Sequence, residues 1–200
     1  MTKVVHLTSA HPTFDVRIFH KEVKTLSEAG YEVILIAPDK LADTRIVEGI
    51  HLRTVPCSKN RLTRFTRTLW QVYRAAREEV ADFYHFHDPD LLLIGLILSC
   101  QGKKVIYDVH EDVPKQILTK YWIPPWMRKG IARLIDVLER LVVRRLAAVV
   151  VATPAIAKRF PPKKTVVVQN FPILDELHSE DKSKPYQKRL NTIAYVGVIT

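Results

Sequence analysis

Two hundred residues, 47% apolar and 26% charged, suit a globular chain with one domain-sized core and a remainder. Two cysteines, Cys57 and Cys100, exclude a disulfide framework, and the longest apolar stretch, residues 91–100, is about half the length of a membrane span. A formal net charge of +10 points to anionic partners, whether a phosphate-bearing ligand, a nucleic acid or an anionic bilayer.

The chain opens on Val4-Val5-His6-Leu7, a branched run that enters a strand directly. It lacks the apolar run and cleavage site of a signal peptide, which predicts a cytoplasmic protein. Phe19, Val23 and Leu26 then recur at helical spacing up to a stop at Ala29-Gly30. A strand, Val33-Ile34-Leu35-Ile36, follows. Leu62, Phe65, Leu69, Val72, Tyr73, Ala76 and Val80 mark the apolar stripe of a second helix, with Trp70 close to it. A third helix is expected over residues 91–98, opened by Pro89 with Asp88 as its N-cap. Val105-Ile106-Tyr107 reads as a strand and residues 131–146 as a fourth helix. Val149-Val150-Val151 and Val166-Val167-Val168 are two further strands. Strands apolar on both faces, alternating with helices, predict a doubly wound, Rossmann-like α/β domain over residues 1–170. Residues 171–191 read as a linker and residues 192–200 as the first strand of a second domain.

In such sheets ligands sit beyond the carboxyl ends of the strands. The polar stretches there are residues 8–15, 85–90, 108–114 and 152–154. No glycine lies between Met1 and Ala29, so the tight turn of a dinucleotide site is absent, and so is a phosphate loop ending in Gly-Lys-Ser or Gly-Lys-Thr. His85 and His87 share one face of a strand, and Asp88 offers a third metal ligand. No established metal spacing is matched in full, and the reading takes no metal; His85 is expected to point into the sheet's packing and pair with a buried polar group. The densest polar cluster is Asp108-Val109-His110-Glu111-Asp112. A histidine there can bind a sugar hydroxyl, orient a phosphate or move a proton near neutral pH, or else simply cap a helix.

The positive charge is concentrated on two helices. Residues 49–77 hold no acidic side chain. Arg64, Arg67, Arg74 and Arg77 fall opposite the apolar stripe of the second helix. Arg133, Arg140 and Arg144 fall opposite Ile131, Leu134, Leu138, Leu141 and Val142 on the fourth, behind Tyr121, Trp122 and Trp126. These faces are either ordinary solvated surfaces or a docking surface for an anionic membrane. No nucleic-acid-binding module is recognised, and nucleic acid is not expected as a partner.

Five segments, taken together and in order, resemble family 4 of the retaining glycosyltransferases. They are Phe14-Asp15-Val16-Arg17-Ile18-Phe19-His20-Lys21-Glu22 with residues 26–33; His85-Phe86-His87-Asp88-Pro89-Asp90; Ile106-Tyr107-Asp108-Val109-His110-Glu111-Asp112; Val167-Val168-Gln169-Asn170-Phe171-Pro172; and Tyr195-Val196-Gly197-Val198-Ile199. The resemblance implies the N-terminal, acceptor-side half of a GT-B fold, with its active site in a cleft between two Rossmann-like domains. It implies transfer of a sugar from a nucleotide-sugar co-substrate to a sugar or lipid-linked acceptor, with retention and without a bound metal or other cofactor, as in cell-envelope polysaccharide synthesis. His110 is similar to the family's cleft histidine. His11, Asp15, Arg17, His87, Asp88, Glu111 and Asp112 are the expected substrate-binding residues.

Two features depart from the family. Its paired glycine in the first loop is replaced by His11-Pro12-Thr13-Phe14-Asp15, so phosphate contact is expected from Arg17 or the following helix N-terminus. Its two glutamates separated by seven residues belong to the donor domain, and no two glutamates here are so spaced. The chain alone is therefore expected to be inactive. A non-catalytic acceptor-binding or membrane-docking subunit of a split enzyme is the alternative.

Overall fold

The computed structural model describes residues 1–58, 60, 63–172 and 187. The chain divides into two units, Met1–Asn170 and Phe171–Thr200. The expected linker and the strand at 192–200 lie outside the described residues, apart from residues 171, 172 and 187.

Eight strands form one sheet: β1 (Lys3–Leu7), β2 (Glu32–Asp39), β3 (Thr44–Val47), β4 (Ile50–Pro56), β5 (Phe83–Phe86), β6 (Lys104–Val109), β7 (Ala148–Val151) and β8 (Thr165–Val167). Their spatial order is β3-β4-β2-β1-β5-β6-β7-β8, and every neighbouring pair is parallel except β3 with β4. The chain builds outward from β1 to one side, then restarts at β5 and builds to the other. The order therefore reverses between β1 and β5, where parallel sheets open a crevice.

Helices make the crossovers. The first, α1, is wound as a π-helix over Val16–Val23 and as an α-helix over Lys24–Glu28. Then come α2 (Arg64–Thr68 running into Leu69–Glu78), α3 (Pro89–Leu91 into Leu92–Cys100), α4 (Val113–Thr119), α5 (Pro125–Val143) and α6 (Pro154–Ala157). Val72, Ala75 and Ala76 of α2, Ile94 and Leu98 of α3, and Val142 and Val143 of α5 bury one face of the sheet in the main core. Ile18, Phe19 and Val23 of α1 cover the other face over Val33, Leu35, Ile50 and Leu52. That second face is left more open beyond β1, where Ile106 and Val150 are half-buried and Val166 is exposed.

The antiparallel hairpin of β3 and β4 is a feature the sequence reading passed over. Its turn falls on Glu48 and Gly49, both at positive φ (52° and 78°), the backbone that a tight two-residue hairpin demands. The outer helices also differ from expectation. Phe65 and Val80 are exposed rather than packed, and Trp70 stands 62% exposed on α2, whose buried face is Thr68, Val72, Ala75 and Ala76. On α5 the side toward the sheet carries Ala132, Glu139, Val142 and Val143, while Leu134, Val137, Leu138 and Leu141 face solvent. The cause is Glu139. Its carboxylate accepts a 3.0 Å hydrogen bond from Tyr107 Oη of β6 and pairs with Arg159, and this turns the helix away from its leucine stripe.

Close packing of α3 on β5 rests on one glycine. A Cβ on Gly95 would lie 2.5 Å from Phe86 Cε1, and Phe86 is fully buried with its ring stacked on Tyr107 at 4.5 Å. Gly95→Ala is expected to overpack this layer and cost about 1–3 kcal/mol, read as a lower urea midpoint at unchanged slope.

Candidate active site

The crevice at the order reversal is lined by the loops that leave β1, β5 and β6. Asp88, just past β5, is 3% exposed and does not cap α3 as expected. Its Oδ2 instead accepts from Thr8 Oγ1 (2.7 Å) and from the backbone N–H groups of Ser9 (2.6 Å) and Ala10 (3.3 Å). One carboxylate thus holds the first loop against the neighbouring strand. Thr8 Oγ1 in turn accepts from the His11 N–H, which brings that side chain up to the rim.

His11 sits between two carboxylates, with Nδ1 3.3 Å from Asp15 Oδ2 and Nε2 3.3 Å from Asp88 Oδ1. The Asp15 contact, helped by Asp88 and opposed by partial burial, raises the pKa of His11 above its ordinary value. Asp15 is held down in return by His11 and by the N–H groups of Ile18 and Arg17, which it caps at 2.9 Å each. His110, beyond β6, places its ring 5.0 Å from that of His11 in an edge arrangement. The rim therefore presents two adjacent imidazoles, one of them biased toward its cation.

Beneath them lies a buried charged floor. Asp108 is fully buried and accepts from Arg17 through Nε (2.9 Å) and Nη2 (2.7 Å), and pairs with His87 Nδ1 at 3.2 Å. His110 Nδ1 lies 3.5 Å from the same carboxylate. Burial works to raise Asp108, but the nitrogens of His110, His87 and Arg17 outweigh it and keep the carboxylate charged. Burial also opposes charge on His87, yet Asp108 and Glu22 raise its pKa. At Glu22 burial, helped by the Asp108 charge, outweighs the opposing His87 and Arg17 and pushes the carboxyl upward.

These placements revise several expected roles. Arg17 is 7% exposed with its guanidinium committed to Asp108, and the first amides of α1 are taken by Asp15, so neither route to a phosphate is open from here. His87, 1% exposed, supports Asp108 from below the rim and is out of reach of a substrate in the crevice. Asp112 caps α4, accepting from the Lys115 N–H at 3.4 Å, and pairs with Lys115 and Arg159. His85 is buried as expected, but its ring stacks on His87 and packs tilted against His6, and its Nε2 has no hydrogen-bond partner. His11, His110, Asp15 and Glu111 are left as the accessible set. Of the basic helix residues, Arg67, Arg74, Arg77, Arg133, Arg140 and Arg144 are exposed, while Arg64 is half-buried and paired with Asp90 at 2.8 Å. His6 and Glu22 were passed over by the sequence reading, although His6 sits in the middle of the first strand, where a polar side chain is out of place among branched residues.

A Rossmann-like sheet with polar loops converging at the strand-order reversal is an architecture that serves many ligand-binding and enzyme classes, and comparison with known proteins narrows it. A family described as "Glycosyl transferase 4-like domain" matches residues 16–170, and the chain belongs to this family. No curated protein sequence matches the chain. Among solved structures, it resembles the sucrose-phosphate synthase of Thermosynechococcus elongatus (TM-score 0.62, 14% identity, 84% of this chain and 48% of that one). It also resembles Phytolacca americana UGT2 complexed with UDP-2fluoro-glucose and pterostilbene (TM-score 0.55, 11% identity, 86% and 55%). A third is Anabaena HepE in complex with UDP and glucose (TM-score 0.53, 12% identity, 85% and 44%). These likenesses give the fold, a Rossmann-like α/β domain of the kind found in GT-B glycosyltransferases. The chain spans about half the length of these structures.

The raised pKa of His11 has a sign that can be checked. Stability from its ion pairs is fully present below the unfolded value of about 6.5 and is lost as pH rises through the higher folded value. Replacing His11 by Gln should remove that dependence. The gap in urea midpoint between wild type and His11→Gln is expected to be widest near pH 6 and to close toward pH 9; a gap constant across that range would refute the ion pairing.

Proposed function

We propose that this chain is the acceptor-side half of a retaining glycosyltransferase that moves a sugar from a nucleotide-sugar donor to a sugar or lipid-linked acceptor. The observation that carries the reading is the paired His11 and His110 rim above the Arg17–Asp108 floor, at the crevice where the sheet order reverses. That one similar structure holds UDP-2fluoro-glucose and another holds UDP and glucose supports the donor class.

The chemistry follows from charge. As the bond to the leaving diphosphate breaks, negative charge grows on its oxygens and positive charge on the sugar ring. His11, biased toward its cation and held on both nitrogens by Asp15 and Asp88, acts on the first of these as a charge felt across the crevice rather than as a hydrogen-bond donor. His110, set against Asp108, contacts the donor sugar and the acceptor hydroxyl. Glu111, exposed at the same rim, lies on the acceptor side. Arg17, His87 and Asp88 position these groups without touching substrate. The diphosphate itself is held mainly by a donor domain, since the local amides and guanidinium are already occupied. By itself the 200-residue chain has no transferase activity.

In the intact enzyme, His110→Ala is expected to lower kcat by about 10²–10⁴-fold with the fold unchanged by circular dichroism. Transfer at near wild-type rate would remove His110 from the catalytic role and favour the alternative, a non-catalytic acceptor-binding subunit of a split enzyme.

The solvent face of α5 supports a second part of the proposal, peripheral docking on the inner face of the cytoplasmic membrane. Among the described residues no helix is long and apolar enough to cross a membrane. On a helix of 100° per residue, the exposed Leu134, Val137, Leu138 and Leu141 form a stripe directly beside Arg133, Arg140 and Arg144. Trp126 is 81% exposed about two turns before them and Tyr121 83% exposed in the loop that precedes the helix. Apolar side chains next to basic ones, rather than opposite them, suit a headgroup boundary, at about 1 kcal/mol for each Lys or Arg near anionic lipid. Co-sedimentation with phosphatidylserine-containing liposomes should fall with added salt and fall again in Leu134→Ser/Leu138→Ser. Binding indifferent to both salt and anionic lipid would exclude electrostatic docking.

A further inference from the structure

We infer that His6, Glu22, His85 and His87 form a binding site for one divalent transition ion of borderline softness, zinc foremost. Each brings one ligand atom into a group whose members all lie within 4.8 Å of one another. Three imidazoles and a carboxylate are a donor set that zinc takes in four-coordinate sites.

The sheet itself gathers the imidazoles. His6 of β1 is in register with His85 of β5, so both side chains leave the same face in one row. His87 lies two residues on and, by the period of a strand, shares that face. The rings stand 4.7–5.2 Å apart, and His6 Nδ1 is 2.9 Å from His87 Nε2. Glu22 comes down from α1 above the row. All three histidines are less than 9% exposed.

The hydrogen bonding within this group is incomplete. His6 Nε2, His85 Nε2 and both carboxylate oxygens of Glu22 are buried with no hydrogen-bond partner. Arg17 Nε lies 3.0 Å from Glu22 Oε1, but its single hydrogen is directed to Asp108. Unpaired buried polar atoms cost on the order of 1–3 kcal/mol each, and so many at one point are rare in a native interior. A cation satisfies imidazole lone pairs and carboxylate oxygens together, which no rearrangement of protons among three imidazoles achieves.

Two supporting features complete the site. His87 turns Nδ1 to Asp108 at 3.2 Å, which leaves Nε2 to face the cluster, as metal-bound histidines are oriented by a carboxylate behind them. A groove of about 460 Å³ reaches His6, Glu22 and His85 from solvent and gives the ion an entry path. Ligand atoms around zinc at about 2.0–2.1 Å stand roughly 3.3 Å apart, so closure takes side-chain rotations of about an ångström. The ion would sit below the rim and join β1, β5 and α1, holding Arg17 and Asp108 in register; it takes no part in the proposed transfer. Sequence spacing hides the set because its members are spread from position 6 to position 87.

Titration of the 200-residue chain with Co²⁺ reads the site directly, through the visible absorption of a tetrahedral ion. The expected result is one equivalent taken up, displaced by Zn²⁺, with affinity at least tenfold weaker in His85→Ala and in Glu22→Gln. It should persist in the double variant His11→Ala/His110→Ala, which removes the two rim imidazoles. Failure to bind one equivalent, or binding lost only in the rim variant, overturns the inference. Should His85→Ala fail to fold by circular dichroism, Glu22→Gln, which keeps the side chain's shape, decides alone: undiminished affinity there overturns it equally.

Discussion

Arg17 and Asp108 meet through two parallel hydrogen bonds in a place with no solvent to screen them, and their geometry constrains everything above. Removing one partner of such a buried pair typically costs about 3–5 kcal/mol, because the other is left charged and desolvated. The pair fixes α1 to the end of β6 across the two intervening strands. It thereby sets the height of Asp15 at the start of α1 and of His110 at the end of β6, and hence the spacing of the two rim imidazoles. The crevice is a consequence of sheet topology; its electrostatic character is a consequence of this one ion pair.

The alternation of strand and helix was legible because parallel strands buried on both faces read as unbroken branched runs, and Val33 to Ile36 or Val149 to Val151 can hardly be anything else. The β3–β4 hairpin was harder to see. Its strands alternate Ile46, Ile50 and Leu52 with Arg45, His51 and Arg53, and only Gly49 marks the turn, with a glutamate instead of the usual asparagine or aspartate before it. α5 misled for a different reason. A leucine stripe is the ordinary signature of a buried face, and a single buried carboxylate, Glu139, overrides it through partners in β6 and at Arg159 that no local pattern announces.

The site was legible in position and less so in role. Residues at strand ends were rightly brought to one rim, because topology alone places them there. Whether a polar side chain at that rim faces the ligand or the protein is decided by partners distant in sequence. Asp88 and His87 are turned inward by residues 80 and 21 positions away. Asp112 was open to a helix-cap role from its own neighbourhood, since it precedes Val113 and Pro114, the first two residues of α4. His6 offered a signal of another kind: a lone imidazole in a central strand must be neutral, paired or ligated, and sequence cannot choose among these.

Asp88 adds a constraint on how this half can recognise anions. Its carboxylate is seated on the Ser9 and Ala10 amides and the Thr8 hydroxyl, much as an oxyanion would be seated on a loop built to receive one. The chain carries its own resident anion at the mouth of the crevice. Any external anion brought to this loop would find that nest already filled by a tethered competitor that never dissociates.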